Sequence, residues 1–145
     1  MKKSAKKLRA NITQMQVASQ LALFIENAPG TLASVCSALC EANINIYAIS
    51  TSDTIDHSVI RLIVDTPKEA ERLFEKRGAL VVKTDVILID GSNEPGSLAD
   101  ISRSLCDAGI NIEYAYCATS PNASRGLLVL RPSNVAKALK VLNTK

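Results

Sequence analysis

Few residues in this chain are of types that do chemistry, and they form four groups. Four cysteines, Cys36, Cys40, Cys106 and Cys117, can pair as disulfides or hold a metal. The only histidine, His57, stands in "SDTIDH" with Asp53 and Asp56, residue types that serve as acid, base or metal ligand. Cys117 lies close in sequence to Tyr114 and Tyr116, and its thiol becomes a nucleophile where a base activates it. The fourth group is of another kind. "NAPGTL" (27–32) and "NEPGSL" (93–98) repeat an amide, a proline, a glycine and a hydroxyl directly before an apolar helical rhythm. There the chemistry belongs to the backbone. The first turn of a helix exposes unpaired N–H groups and a partial positive charge, and glycine lets an anion come close.

The first three groups have plainer readings. Cys36 and Cys40 are one helical turn apart, and the chain lacks the paired C-x2-C knuckles of a zinc site, so the thiols read as small core fillers in a reducing compartment. The polar residues around His57 read as a solvated hairpin loop with no counterpart at Thr119 to Ala123. No histidine lies near Cys117, and "EYAYC" reads as alternating faces of a strand. No catalytic residue, metal site or cofactor is therefore expected.

At 145 residues, with 47% apolar content and 21% charge, the chain has the balance of a globular protein of one ordinary domain or two small ones. No run reaches the roughly eighteen apolar residues that a membrane helix needs, and "MKKSAKKLRANITQ" lacks the apolar core of a secretory signal. The expected location is the cytoplasm. The net charge of +3 comes from Lys2, Lys3, Lys6, Lys7 and Arg9; from residue 11 onward the balance is −2. Such a body has no general attraction for nucleic acid or membrane, and residues 1–15 read as a basic, flexible arm.

An offset of 66 aligns Gly30 with Gly96. Without gaps it also pairs Pro29 with Pro95, Leu39 with Leu105, Cys40 with Cys106, Ile46 with Ile112, Leu62 with Leu128 and Ala70 with Ala136. Agreement over about forty-five positions means two copies of one supersecondary unit. In the first copy "QLALFIE" reads as a strand and Pro29-Gly30 as a sharp turn. A helix follows with Leu32, Val35, Cys36, Leu39 and Cys40 on one stripe, its start capped by Thr31, or by Ser97 in the second copy. "INIYAISTS" and "SVIRLIVD" form a hairpin, and a helix begins at Pro67 with Thr66 and Glu69 as a capping box. "ALVVKT" is the fourth strand and abuts "DVILID", the first strand of the second copy. Each copy thus reads as βαββαβ, an α+β unit with two helices on one face of an antiparallel sheet. The units span residues 16–84 and 85–145.

The second copy lacks a fourth strand, since the counterpart of Leu80 would be residue 146. "ITQMQVA", Ile12 to Ala18, precedes the first strand as "LVVKT" precedes that of copy two. It is expected to supply the missing strand, in the same chain or a partner. An exposed edge that recruits a partner strand is the competing expectation.

A βαββαβ unit with Asn-x-Pro-Gly-x-Leu after its first strand and Ile-Asn-Ile leading into its second resembles the ACT domain family. "FIENAPGTLASVCSALCEANINI" and "IDGSNEPGSLADISRSLCDAGINI" both fit. The resemblance implies two tandem units of a ferredoxin-like sandwich and a stand-alone regulatory protein that binds a small molecule, an amino acid first of all. It implies a ligand on the loop between the first strand and the first helix, at an interface between ACT units, and a homodimer as the assembly. Carried onto this chain, the ligand residues are Asn27, Ala28, Pro29, Gly30, Thr31 and Leu32, with Asn93, Glu94, Pro95, Gly96, Ser97 and Leu98 in the second copy. Asn45 and Asn111, where the second strand begins, are added as partners for the ligand's charged groups. Glu94 in place of Ala28 adds a negative charge, which makes the first loop the better carboxylate site.

Three other functions weigh against this reading. An enzyme would need one of the clusters set aside above. An RNA-binding sheet would need central aromatic residues, yet aromatics are 3% of the chain and "SVIRLIVD" and "RGLLVLRP" contain none. A structural dimerisation module without ligand is the alternative that the residues leave open.

Overall fold

The computed structural model describes residues 11–55 and 57–143. Its first strand is twice as long as "QLALFIE". β1 runs Ile12–Glu26, followed by α1 (Thr31–Glu41), β2 (Ile46–Asp53), β3 (His57–Val64), α2 (Pro67–Lys76) and β4 (Leu80–Ser92). Then come α3 (Ser97–Asp107), β5 (Ile112–Ala118), β6 (Arg125–Pro132) and α4 (Val135–Leu142). β4 joins "ALVVKT" and "DVILID" into one strand, because nothing between Thr84 and Asp85 breaks the extended chain.

The contacts divide the chain into two units. The first is Ser19–Thr84; the second combines residues 11–18 with residues 85–143. The boundaries therefore differ from those expected. Residues 12–15, assigned above to a flexible arm, are strand. Ile12 and Met15 are half-buried against the second core, which explains why the strand continues there. The part of the expected arm before Asn11 lies outside the described residues.

In the first unit the strand order is β2-β3-β1-β4, with β1 antiparallel to β3 in the register Leu21↔Leu62 and Leu23↔Ile60. Leu21, Leu23, Leu39, Ile60, Leu62 and Phe74 form its core. In the second unit the order is β1-β4-β6-β5, and Ile87↔Leu130 and Ile89↔Leu128 repeat that register around Ile101 and Leu105. The N-terminal part of β1 thus serves as the fourth strand of the second unit, within the same chain.

The repeat changes offset halfway. β1, α1 and β2 match their counterparts at 66, with the same register irregularity after Ile46 and Ile112. From β3 onward the offset is 68: Leu62 corresponds to Leu130, Ala70 to Ala138 and Phe74 to Leu142. The sequence pairings Leu62 with Leu128 and Ala70 with Ala136 were two residues out of step. The reason is the longer hairpin loop between Ala118 and Arg125, which absorbs the insertion without disturbing either strand.

The buried stripe of α1 is Val35, Ala38 and Leu39, and that of α3 is Ile101 and Leu105. Leu32 and Leu98 are exposed, as are Cys40 and Cys106, and Cys36 is half-buried. The expected burial of these cysteines is overturned. Cys40 follows Val35, and Cys106 follows Ile101, by five positions, a rotation of about 140° that carries the thiol off the core face. The caps differ as well. Gly30 and Gly96, not Thr31 and Ser97, are the N-caps, and neither start has a side-chain cap. At Thr66 the hydroxyl donates to Asp65 Oδ1 at 3.1 Å and the expected capping box does not form. α4 does have a side-chain cap: Asn134 Oδ1 accepts from the Lys137 N–H at 2.9 Å.

Candidate functional site

The loop before α1 is built by its glycine. Gly30 has φ +86° and Gly96 φ +94°, a left-handed conformation that costs a residue with a Cβ about 1–2 kcal/mol. This conformation folds each loop back on itself. The Thr31 N–H donates to Ala28 O at 3.3 Å and the Ser97 N–H to Glu94 O at 3.2 Å. Ser34 and Asp100 then donate their N–H groups to Gly30 O and Gly96 O, both at 2.9 Å. The N–H groups of Leu32, Ala33, Leu98 and Ala99 lie in the first turn, where no preceding helical carbonyl is available. The loop residues Asn27, Ala28, Pro29 and Gly30, and their counterparts from Asn93 to Gly96, are exposed.

Each loop is tied to the hairpin beside it. Asn27 Nδ2 donates to Thr54 O at 3.3 Å, and Asn93 Nδ2 donates to Ala123 O at 2.7 Å. The Asn93 N–H adds a bond to Ser124 O at 2.9 Å. The asparagine of the repeated motif therefore braces the loop and spends its amide on a carbonyl. Where the two loops differ, the structure adds a second inequality to Ala28 and Glu94. The Ser97 hydroxyl lies 2.7 Å from Ser92 Oγ, which donates to Asn11 Oδ1 at 3.2 Å, and Asn11 Nδ2 donates to Asp100 Oδ2 at 3.1 Å. No local signal marks Asn11 in the sequence, because its partners are more than eighty positions away.

Asn45 and Asn111 do not join the loops. Each enters its strand after the first helix of its unit, and eleven helical residues span about 16 Å. The Asn45 N–H donates to Asp65 Oδ1 at 3.2 Å, and the Asn111 N–H donates to Ser133 Oγ at 3.1 Å. Both asparagines therefore stand at the far end of the first helix from the loop of their own unit. Asn45 instead lines an open groove of about 440 Å³ with Cys36, Cys40 and Asp65.

Among the described residues no group of three metal-ligand side chains converges. Asp56 of the "SDTIDH" cluster lies outside the described residues. The carbonyl of His57 accepts from the Thr54 N–H at 2.8 Å, a hairpin closure. In β5, Tyr114 and Tyr116 are half-buried while Glu113, Ala115 and Cys117 are exposed, the alternation expected of a strand.

Two βαββαβ units, each with a glycine-capped turn between its first strand and first helix, define a tandem module of the ferredoxin-like kind. The chain belongs to the ACT domain pair family, which it matches over residues 15–145. It is similar to the crystal structure of protein BT0572 from Bacteroides thetaiotaomicron at 35% identity, with a TM-score of 0.82 over 90% of this chain and 89% of that one. The ligand-free regulatory subunit of aspartate kinase from Thermus thermophilus shares the fold at 21% identity, with a TM-score of 0.67 over 91% of this chain and 96% of that one. The corresponding subunit from Thermus flavus does so at 20% identity and a TM-score of 0.61, with the same coverage. No match to a curated protein sequence was found.

Proposed function

We propose that this protein is a non-catalytic regulatory module that binds an amino acid at the loops opening α1 and α3. The observation that carries the reading is the duplicated glycine-capped turn, held rigid by Asn27 and Asn93 and presenting the first-turn N–H groups outward. Preorganised donors of this kind suit a carboxylate. The dipole contributes only about 0.3–1 kcal/mol, whereas micromolar binding needs roughly 8 kcal/mol. A neighbouring ACT unit in a homodimer supplies the remaining hydrogen bonds and burial. The first loop is the stronger site, since Glu94 repels a carboxylate at the second. The regulatory subunits of aspartate kinase that share the fold support a regulatory role, and a cytoplasmic setting suits the free thiols. Among the described residues no helix is long and apolar enough to cross a membrane.

Thermal-shift measurements with each of the twenty amino acids test this. A selective rise in Tm that is lost in Gly30→Asp and retained in Gly96→Asp is expected, because a ligand bound only to the native state stabilises it. No rise with any amino acid, with the fold intact, would favour a ligand-free dimerisation module, to which exposed Leu32 and Leu98 also lend themselves.

A further inference from the structure

The two units differ at one equivalent place, and the difference leaves a cavity in the first. Asn11 stands directly before β1 and Ala79 directly before β4, the strands that close the sheets of the second and the first unit. Ser97 and Thr31 open the two first helices, and Asp100 and Ser34 are their fourth residues. In the second unit this place is filled by the chain itself. The Asn11 amide, buried to 6% exposure, donates to Asp100 and accepts from Ser92. The Asn11 carbonyl lies so close to Gly91 that a Cβ there would sit 2.7 Å from it.

In the first unit Ser34 stands for Asp100 at the offset of 66, so the carboxylate that holds Asn11 has no counterpart, and Arg77 and Ala79 border the place instead. What remains is a cavity of about 160 Å³ between α1, α2 and the sheet. Ile25, Val35, Phe74 and Ala79 give it an apolar lining, and Thr31 and Ser34 bring hydroxyl groups. Arg77 lines it as well, with a half-exposed guanidinium 3.7 Å from the exposed Glu41 carboxylate. A pair this long and this open holds the guanidinium loosely.

We propose that this cavity binds a short branched aliphatic carboxylate. Its volume is that of about five waters at roughly 30 Å³ each, room for an acid of about five carbons. The alkyl group displaces water from the apolar lining. The carboxylate takes the Arg77 guanidinium, which forms two parallel hydrogen bonds, and a hydroxyl of Ser34 or Thr31. The replacement of Asp100 by Ser34 sets the sign: the sister unit holds a neutral amide against a carboxylate, whereas this cavity offers a cation and neutral donors. The site shares Thr31 with the loop above and is otherwise separate from it, so it stands whether or not the loop binds an amino acid.

The test is a titration of the 15N-labelled full chain with isovalerate, followed by amide chemical shifts. Saturable shifts centred on Thr31, Ser34 and Ala79 are expected. Arg77→Gln raises Kd about tenfold or more. Ser34→Leu, at an exposed position beside the cavity, abolishes binding while the amides of the second unit keep their positions. Isovaleramide, of the same shape without the charge, binds more weakly than the acid. L-Valine shifting the same three amides also supports a carboxylate site and adds room for the ammonium. Shifts that do not saturate, that spare Ala79, or that are unchanged by Arg77→Gln would overturn the proposal.

Discussion

Asn11 and Asp100 stand eighty-nine positions apart and are joined by a side-chain hydrogen bond of 3.1 Å. The bond fastens the start of β1 to the first turn of α3, and so makes the N-terminal segment an integral part of the second unit. Asn11→Ala leaves the Asp100 carboxylate without this donor and is expected to cost about 1–3 kcal/mol in urea unfolding. Removing residues 1–15 takes Ile12 and Met15 from the core as well and should cost more. A truncated protein with the full-length midpoint would show that another strand closes this sheet.

The two motif asparagines should differ in strength. Asn93 donates to Ala123 O at 2.7 Å and Asn27 to Thr54 O at 3.3 Å, both near the surface. Asn93→Ala is expected to cost about 1 kcal/mol and Asn27→Ala less, with faster hydrogen exchange in the freed loop. Equal exchange rates in variant and wild type would mean that the bond does not brace the loop.

Glycines of the second unit and the first fail for different reasons when replaced. A Cβ at Gly30 meets nothing within 4 Å, so Gly30→Ala pays only for its positive φ, about 1–2 kcal/mol. Gly91→Ala drives a Cβ against the Asn11 backbone carbonyl and is expected to cost up to about 3 kcal/mol. Guanidinium unfolding of the two variants measures the contrast.

Leu130 is the counterpart of Leu62, and both are fully buried. Leu62→Ala and Leu130→Ala should each cost about 2–5 kcal/mol, whereas Leu128→Ala, paired with Ile89, falls in the same range but has Ile60 as its counterpart. Calorimetry of Leu62→Ala, Leu130→Ala and the double variant tests the offset of 68: the two single changes should act on different cores and add.

Exposed thiols can be counted by reaction. Cys40, Cys106 and Cys117 should be alkylated in the native protein, and the half-buried Cys36 more slowly. Mass spectrometry after a short iodoacetamide pulse reads the order. Protection of Cys40 and Cys106 would place these thiols in the core after all.

Much of the fold is legible in short stretches. The alternation in "EYAYC", the proline that starts α2 and the Pro-Gly turns before α1 and α3 are local features, and local features survive tertiary packing. The exposed cysteines show where that logic ends. Cysteine counts as apolar in a helical stripe, but whether a position 140° from Val35 is covered depends on how far the sheet reaches, which no window of sequence contains. Asn45 illustrates the same limit, since its likeness to Asn111 marks a repeated role without saying at which end of the helix that role is played.

By itself, then, the sequence determined that there are two copies of one βαββαβ unit and that a Pro-Gly turn precedes the first helix of each, because periodicity and backbone sterics act within a few residues. Only the tertiary structure decided that residues 12–18 close the second sheet within the same chain, that the repeat shifts from 66 to 68, and that Asn11 fills in the second unit a place that stands open in the first. Those outcomes depend on contacts between residues far apart in the chain, whose partners are chosen by packing and by the need of each buried polar group for a hydrogen bond.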